Sequence, residues 1–132
     1  MPVDVAELGA HVADRGTLAY VLTVSDDGGP HAVSVRVAAD RGRLECGAGN
    51  RTAANAAARP LVSLLWPARD DDDYALIVDG DAQVQTVDGQ KRLVVTATRA
   101  VLHRTVPAEA GAGPVNDCVP VDATSFDASQ VG

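Results

Sequence analysis

Residues 46–60 read CGAGNRTAANAAARP. Gly47 and Gly49 lead into Asn50, Arg51 and Thr52, and a run rich in alanine follows before Pro60. Alanine at this density favours a helix, Asn50 is the expected N-cap, and Pro60 ends the run. The pattern predicts one helix over 50–59, and what flanks it sets the fold. Upstream, TLAYVLTVS (17–25) is apolar and β-branched and closes on Asp26, Asp27, Gly28, Gly29 and Pro30, so it reads as a strand buried on both faces. HAVSVRVAA (31–39) alternates, with Val33, Val35 and Val37 on one face and Ser34 and Arg36 on the other. Asp40, Arg41 and Gly42 then turn the chain into a third strand, 43–46. Beyond the helix, LVSLLW (61–66) is a fourth strand, closed by Pro67 and a polar loop over 68–73. Finally, YALIVDGDAQVQTV (74–87) and RLVVTATRAVLHR (92–104) flank Asp88 and Gly89, whose tolerance of positive φ suits a primed hairpin turn.

At the start of the chain, Val5, Leu8 and Val12 recur at helical spacing within residues 3–15, and Gly16 stops that helix. The expected fold class is mainly β: a six-stranded antiparallel split β-barrel with a short N-terminal helix and one helix between strands 3 and 4. Closure removes the sheet edges that otherwise invite aggregation. Residues 1–104 make up the barrel domain. From Thr105 the composition shifts to Pro, Gly, Ala, Asp and Ser, so 105–132 read as a C-terminal tail or docked arm.

With 132 residues and 46% apolar content, the chain is one globular domain able to bury a core without a disulfide or metal. Cys46 and Cys118 therefore read as free thiols in a reducing compartment. No apolar run approaches a membrane span, and Met1 to Asp4 carry no cationic leader, so a cytoplasmic protein without a membrane partner is expected. A net charge of −7 opposes the phosphate neutralisation on which nucleic-acid binding depends. Aromatic residues are too few for a base-stacking platform. Alanine and valine fill a core thinly, which points to packing against a second copy of the chain.

The chemistry concentrates in 46–52. Glycines let a backbone approach a ligand, the N–H groups and dipole of a helix N-terminus favour an anion, and a guanidinium binds phosphate oxygens in a bidentate fork. The same residues also fit a plain turn in which the glycines bend the chain, Asn50 caps and Arg51 is solvated. A dinucleotide fingerprint is excluded: Thr52 stands where its third small residue belongs, the helix face is alanine only, and the flanking strands lie in hairpins. His11, His31 and His103 are widely separated and the cysteines do not cluster, so no metal spacing or nucleophile motif is present. Asp70 to Asp73 read as a solvated loop, Cys46 as a small buried apolar residue, and Trp66 either as core or as a ring beside a ligand.

The order of these parts resembles the pyridoxamine 5'-phosphate oxidase-like, FMN-binding split barrel proteins over about residues 15–104. Its most specific part is Arg51 and Asn55, followed by Pro60 and an apolar strand ending in Trp66 and Pro67. The resemblance implies a homodimer with FMN at the subunit interface. It implies that Gly49, Asn50, Arg51, Thr52 and Asn55 surround the phosphate. Val33, Ser34 and Val35 would line the ring, and Trp66 and Tyr74 would come from the partner subunit. Many relatives place Lys where Thr52 stands; Arg36 is the candidate replacement for that charge. The activity implied is oxidation or reduction of a small-molecule substrate through flavin N5. The alternatives are a non-catalytic barrel that carries a flavin or has lost its cofactor, and binding of the deazaflavin coenzyme F-420. The oligoglutamate tail of that coenzyme calls for more Lys and Arg than this chain offers. A third alternative is haem held by His31 or His103.

Overall fold

The computed structural model describes residues 1–105. A two-residue strand β1 (Pro2–Val3) precedes a 3-10 turn capped by Asp4 and the helix α1 (Leu8–Arg15). Then come β2 (Leu18–Val24), β3 (Pro30–Asp40), β4 (Arg43–Gly47), the helix α2 (Asn50–Ala58), β5 (Leu61–Trp66), β6 (Ala75–Val87) and β7 (Gln90–His103). Among the described strands every pairing is antiparallel, and β2–β3–β4–β7–β6–β5 closes back onto β2 as a six-stranded barrel. The expected fold class is observed. β1 is an addition to it, lying outside the ring on β7 with Pro2 opposite Val101. The tail expected over 105–132 and Cys118 lie outside the described residues, except for Thr105.

Turn chemistry fixes the hairpins. Arg41 and Gly42 have φ of 53° and 83°, and Asp88 and Gly89 have φ of 52° and 79°, the left-handed pairs that match the twist of the flanking strands. On β6 the ladder slips at Asp79/Gly80. Gly80 is required there, because a Cβ would run into the Thr96 carbonyl and the Val95 side chain.

The core is the barrel interior, filled by Val21, Leu44, Leu64, Trp66, Leu76, Val78, Leu93 and Val95, with Leu8 and Val12 added from α1. The two helices meet opposite ends of β2. α1 ends at Gly16, just before β2 starts. The C-terminal side of α2 reaches the other end, where Arg59 Nε donates to the Val24 carbonyl at 2.8 Å. Asn55 Nδ2 donates to Thr23 Oγ1 at 3.0 Å, in the core beneath the helix.

Two sequence expectations are corrected. β2 is not buried on both faces: Ala19, Val21 and Thr23 point inward, whereas Leu18 is 57% and Tyr20 42% exposed. A closed barrel has one interior, so a continuous apolar strand must turn half its side chains outward. Asn50 is not the N-cap. Gly49 takes that position in extended backbone, without a side-chain cap bond, and Asn50 is the first helical residue.

Candidate functional site

The barrel is split at β3. Residues Val37 to Asp40 pair with β4, but 30–36 pair with β2 alone. β4 stops at Gly47, and the chain leaves the ladder for α2. The gap is a cleft of about 640 Å³. Val33, Ser34, Val35 and Arg36 form one wall, with His31 at the end nearer the β2–β3 turn. Gly47, Gly49, Asn50, Arg51 and Thr52 form the other. The structure thus brings together two segments that are distant in sequence and that the alternation of β3 and the glycine-flanked helix start single out.

Neither Gly47 nor Gly49 has a positive φ, so the turn does not demand glycine at either position. A Cβ at either would meet nothing within 4 Å; what their bare backbone preserves is open space in the cleft. The first intrahelical bond runs from the Ala53 N–H to the Gly49 carbonyl at 2.9 Å. The N–H groups of Asn50, Arg51 and Thr52 precede it and have no intrahelical acceptor. No side chain caps them, and they add the positive end of the helix dipole to the cleft.

Arg51 makes no ion pair and no side-chain hydrogen bond among the described residues. The contrast with other arginines is direct: Arg59 is held by Asp26 at 2.6 Å, Arg69 by Asp73 at 2.8 Å, and Arg92 by Glu45 at 3.1 Å. Arg51 also borders a second cavity of about 600 Å³, on whose far side stand Ser25, Asp26 and Asp27 in the β2–β3 turn. Asp27 is fixed there by Ser25 Oγ and by the Gly29 N–H at 2.9 Å. These bonds, with a smaller contribution from Arg51, hold its carboxyl below the usual carboxylate range.

Arg36 is exposed and donates to Thr17 Oγ1 at 3.3 Å. It lies six residues beyond Pro30, roughly 20 Å along the strand at the usual rise, whereas Arg51 borders the turn that precedes Pro30. Arg36 thus stands at the end of the cleft where β3 meets β4. Thr52 is only 2% exposed and belongs mainly to the core side of α2. Asn55 is also buried, and its amide is engaged by Thr23; it braces α2 against β2 and lines the second cavity, outside the cleft.

Trp66 and Tyr74, which the resemblance assigns to the partner subunit's side of a site, lie away from this chain's own cleft. Trp66 is 1% exposed, and its Nε1–H donates to the Gly16 carbonyl at 2.9 Å. It closes the α1 end of the core and presents no face to a ligand. Tyr74 packs beneath Arg104, whose guanidinium is 4.8 Å from the ring centre, and it is not part of the cleft. Cys46 points into the core as expected, and burial pushes its thiol up to about 11. His31, named from the sequence only as a possible haem ligand, also lines the cleft. It lies opposite Thr23, with its Nδ1 3.5 Å from Thr23 Oγ1, and shares a face with Val33 and Val35; that parity was the available signal. Among the described residues no three His, Cys, Asp or Glu side chains stand together as ligands for a metal ion. Nor is any helix there long and apolar enough to cross a membrane.

Chemically, among the described residues the cleft offers a guanidinium without a partner, three N–H groups without an intrahelical acceptor and Gly49 at one end, Gly47 and Arg36 at the other, with half-buried Val33 and Val35 along the wall. That donor set fits a phosphate joined to a flat apolar group.

No family model matches the chain. An uncharacterized protein of Mycobacterium bovis is 36% identical over 137 aligned positions, covering 89% of this chain and 93% of its own. A Mycobacterium tuberculosis protein matches to the same extent. Among solved structures, a protein from Clostridium acetobutylicum related to general stress protein 26, of the pyridoxinephosphate oxidase family, superposes with a TM-score of 0.62 at 13% identity. It covers 77% of this chain and 91% of that one. An F420 reductase gives 0.58 at 17%, covering 69% and 94%. A heme binding protein from Mycobacterium smegmatis gives 0.59 at 15%, covering 77% and 55%. The chain belongs to one family with the two mycobacterial proteins, and its fold is the pyridoxamine 5'-phosphate oxidase-like split barrel.

Proposed function

We propose that the cleft binds FMN and that the protein works as a homodimeric flavoprotein acting on a small molecule. The observation that carries this reading is the unpartnered Arg51 beside the uncapped first turn of α2, in a cleft kept open by Gly47 and Gly49. In this reading Arg51 and the N–H groups of Asn50, Arg51 and Thr52 hold the phosphate. Val33, Ser34 and Val35 line the ring, and Arg36 stands at its far end. A bound flavin supplies hydride chemistry at N5. The chain's own residues orient the cofactor and exclude water from one face, and His31 places an imidazole in the cleft lining.

The likeness to an F420 reductase and to a heme binding protein supports a cofactor-holding barrel in general. FMN is preferred because the carboxylates of Asp26 and Asp27 crowd the phosphate end and, among the described residues, Arg51 is the one guanidinium there without a carboxylate bonded to it. A homodimer is supported by the apolar outer face of β2. Leu18 and Tyr20 are exposed there, and their neighbours across the ladder, Arg36 and Ser34, line the cleft. A second copy seated on that face would bury both the face and the open side of the cleft.

Titration with FMN tests the reading: visible absorbance and quenching of flavin fluorescence should saturate at one FMN per chain, and light scattering should give twice the chain mass. Protein that leaves the flavin spectrum and fluorescence unchanged at high concentration refutes it. A second reading, a barrel that carries flavin without turning it over, is favoured by the cleft lining, which among the described residues holds one imidazole, His31, and no carboxylate or thiol. Anaerobic mixing of the FMN complex with reduced nicotinamides separates the two, since a carrier leaves the flavin oxidised.

A further inference from the structure

The second cavity adjoins the cleft. Asn50 and Arg51 line both, so the guanidinium stands at the boundary between them. A ligand whose phosphate rests on Arg51 fills the cleft with its apolar part, and anything continuing beyond the phosphate enters the second cavity. Across that cavity stand Asp26 and Asp27. Asp27 cannot swing clear, because one carboxylate oxygen accepts from both Ser25 Oγ and the Gly29 N–H. Asp26 is tethered to Arg59 yet remains largely open to solvent. Among the described residues no basic side chain other than Arg51 lines the cavity, and with Asp26 paired to Arg59 the uncompensated negative charge past the phosphate is that of Asp27.

From this juxtaposition we infer that Asp27, reinforced by Asp26, sets the length and charge of the ligand: the site takes a nucleotide that ends in a phosphate monoester and rejects one that continues into a second anionic group. The inference rests on the FMN reading above and deepens it. It separates FMN from FAD, whose phosphate continues into a second phosphate and an adenosine, and from the deazaflavin coenzyme, whose phosphate continues into a carboxylate-bearing tail. Like charges a few ångströms apart at a partly solvated surface disfavour one another by modest amounts, and salt screens the effect.

The experiment measures Kd for FMN, FAD and the deazaflavin coenzyme with several glutamates. It uses the full chain as wild type, Asp27→Asn, Asp26→Asn/Asp27→Asn and the distant control Asp88→Asn. Asparagine keeps an oxygen that accepts from Ser25 and Gly29, so the turn persists while the charge is lost, and a thermal melt confirms folding. The wild type should prefer FMN to both longer ligands. The double variant should reduce that preference by about 3- to 10-fold, with Asp27→Asn supplying most of the change. Asp88→Asn, with the same change in net charge as Asp27→Asn, should leave it unaltered. Raising the salt concentration should narrow the wild-type preference and leave the double variant nearly flat. Unchanged ratios in the variants while FMN still binds overturn the inference and leave the FMN reading standing; a wild type that prefers FAD or the deazaflavin overturns both. Failure of every form to bind FMN removes the FMN reading and this inference with it.

Discussion

Arg69 and Arg51 belong to opposite ends of the barrel, and their surroundings separate a structural arginine from a binding one. Arg69 lies at the α1 end. Its Nε donates to Asp73 at 2.8 Å, its Nη2 reaches Asp14 at 3.3 Å, and its Nη1 reaches the Asp14 carbonyl. Arg15 approaches the same Asp73 oxygen at 3.6 Å. Charge is compensated within the chain, and Trp66 seals the core beneath. Arg51, at the α2 end, has no carboxylate in bonding distance among the described residues, and stands beside N–H groups without an intrahelical acceptor. A cavity of about 610 Å³ lined by Asp70, Asp71 and Asp73 exists near Arg69 too, so volume does not distinguish the ends. What distinguishes them is whether the cation is already satisfied.

The largest expected effect comes from opening the sealed end. Trp66→Ala removes a fully buried indole and its bond to Gly16, and should cost about 3–5 kcal/mol in urea unfolding. The fraction that remains folded should bind FMN within about 2-fold of wild type, since Trp66 is not in the cleft. Loss of binding by well-folded Trp66→Ala would erase the separation of the two ends. Next comes Arg51→Ala. A charge-assisted bond to phosphate is worth about 1.5–3 kcal/mol, so FMN affinity should fall by roughly 10- to 100-fold. The unfolding midpoint should stay nearly unchanged, because Arg51 supports nothing in the folded chain. A variant that unfolds as readily as Arg69→Ala would show Arg51 to be structural.

The α1 end should also respond to pH. Bonds from Arg69 hold the Asp73 carboxyl well below its ordinary 3.8, with Arg15 contributing less. A carboxyl depressed by folding stabilises the native state above its unfolded value, and the stability it provides is lost as pH falls through that value toward the folded one. Wild-type melting temperature should therefore drop as pH is lowered below about 4, and Asp73→Asn should be less stable at neutral pH and flatter across that window. An equally steep acid loss in Asp73→Asn would move the origin of the pH dependence elsewhere.

How much of this was legible in the sequence follows from parity. In β3, Ser34 and Arg36 interrupt the valines and mark the outward face, so the cleft wall is readable from the alternation alone. The same signal exists in β5, where Ser63 sets Val62, Leu64 and Trp66 on the opposite, inward face; the register of Trp66 with Leu64 marks it as core. β2 carries no such mark. Its residues 18–22, LAYVL, are apolar at every position, and only Thr23, polar yet buried, breaks the run, because Asn55 supplies its partner from another element. Turn residues with positive φ were legible because the requirement is local. β1 was not, since two residues carry no period, and neither was the second cavity, which depends on the β2–β3 turn approaching α2 across the fold.

The smallest effect sharpens the comparison most, because it separates a residue kept for the ligand from one kept for the fold. Gly80 and Gly47 both lie in strands. A Cβ at Gly80 strikes backbone, while one at Gly47, which lines the cleft, meets nothing within 4 Å. Alanine also restricts the unfolded chain relative to glycine. Gly47→Ala should therefore leave stability unchanged or raise it by a few tenths of a kcal/mol, roughly the low end of the glycine-to-alanine range, while weakening FMN only several-fold by crowding its approach. Gly80→Ala should do the reverse, lowering the melting temperature and leaving the affinity of the folded fraction alone. If Gly47→Ala binds FMN as well as wild type, the open space beside Gly47 is not where the ligand lies, and the cofactor must enter the split from the β3 side alone.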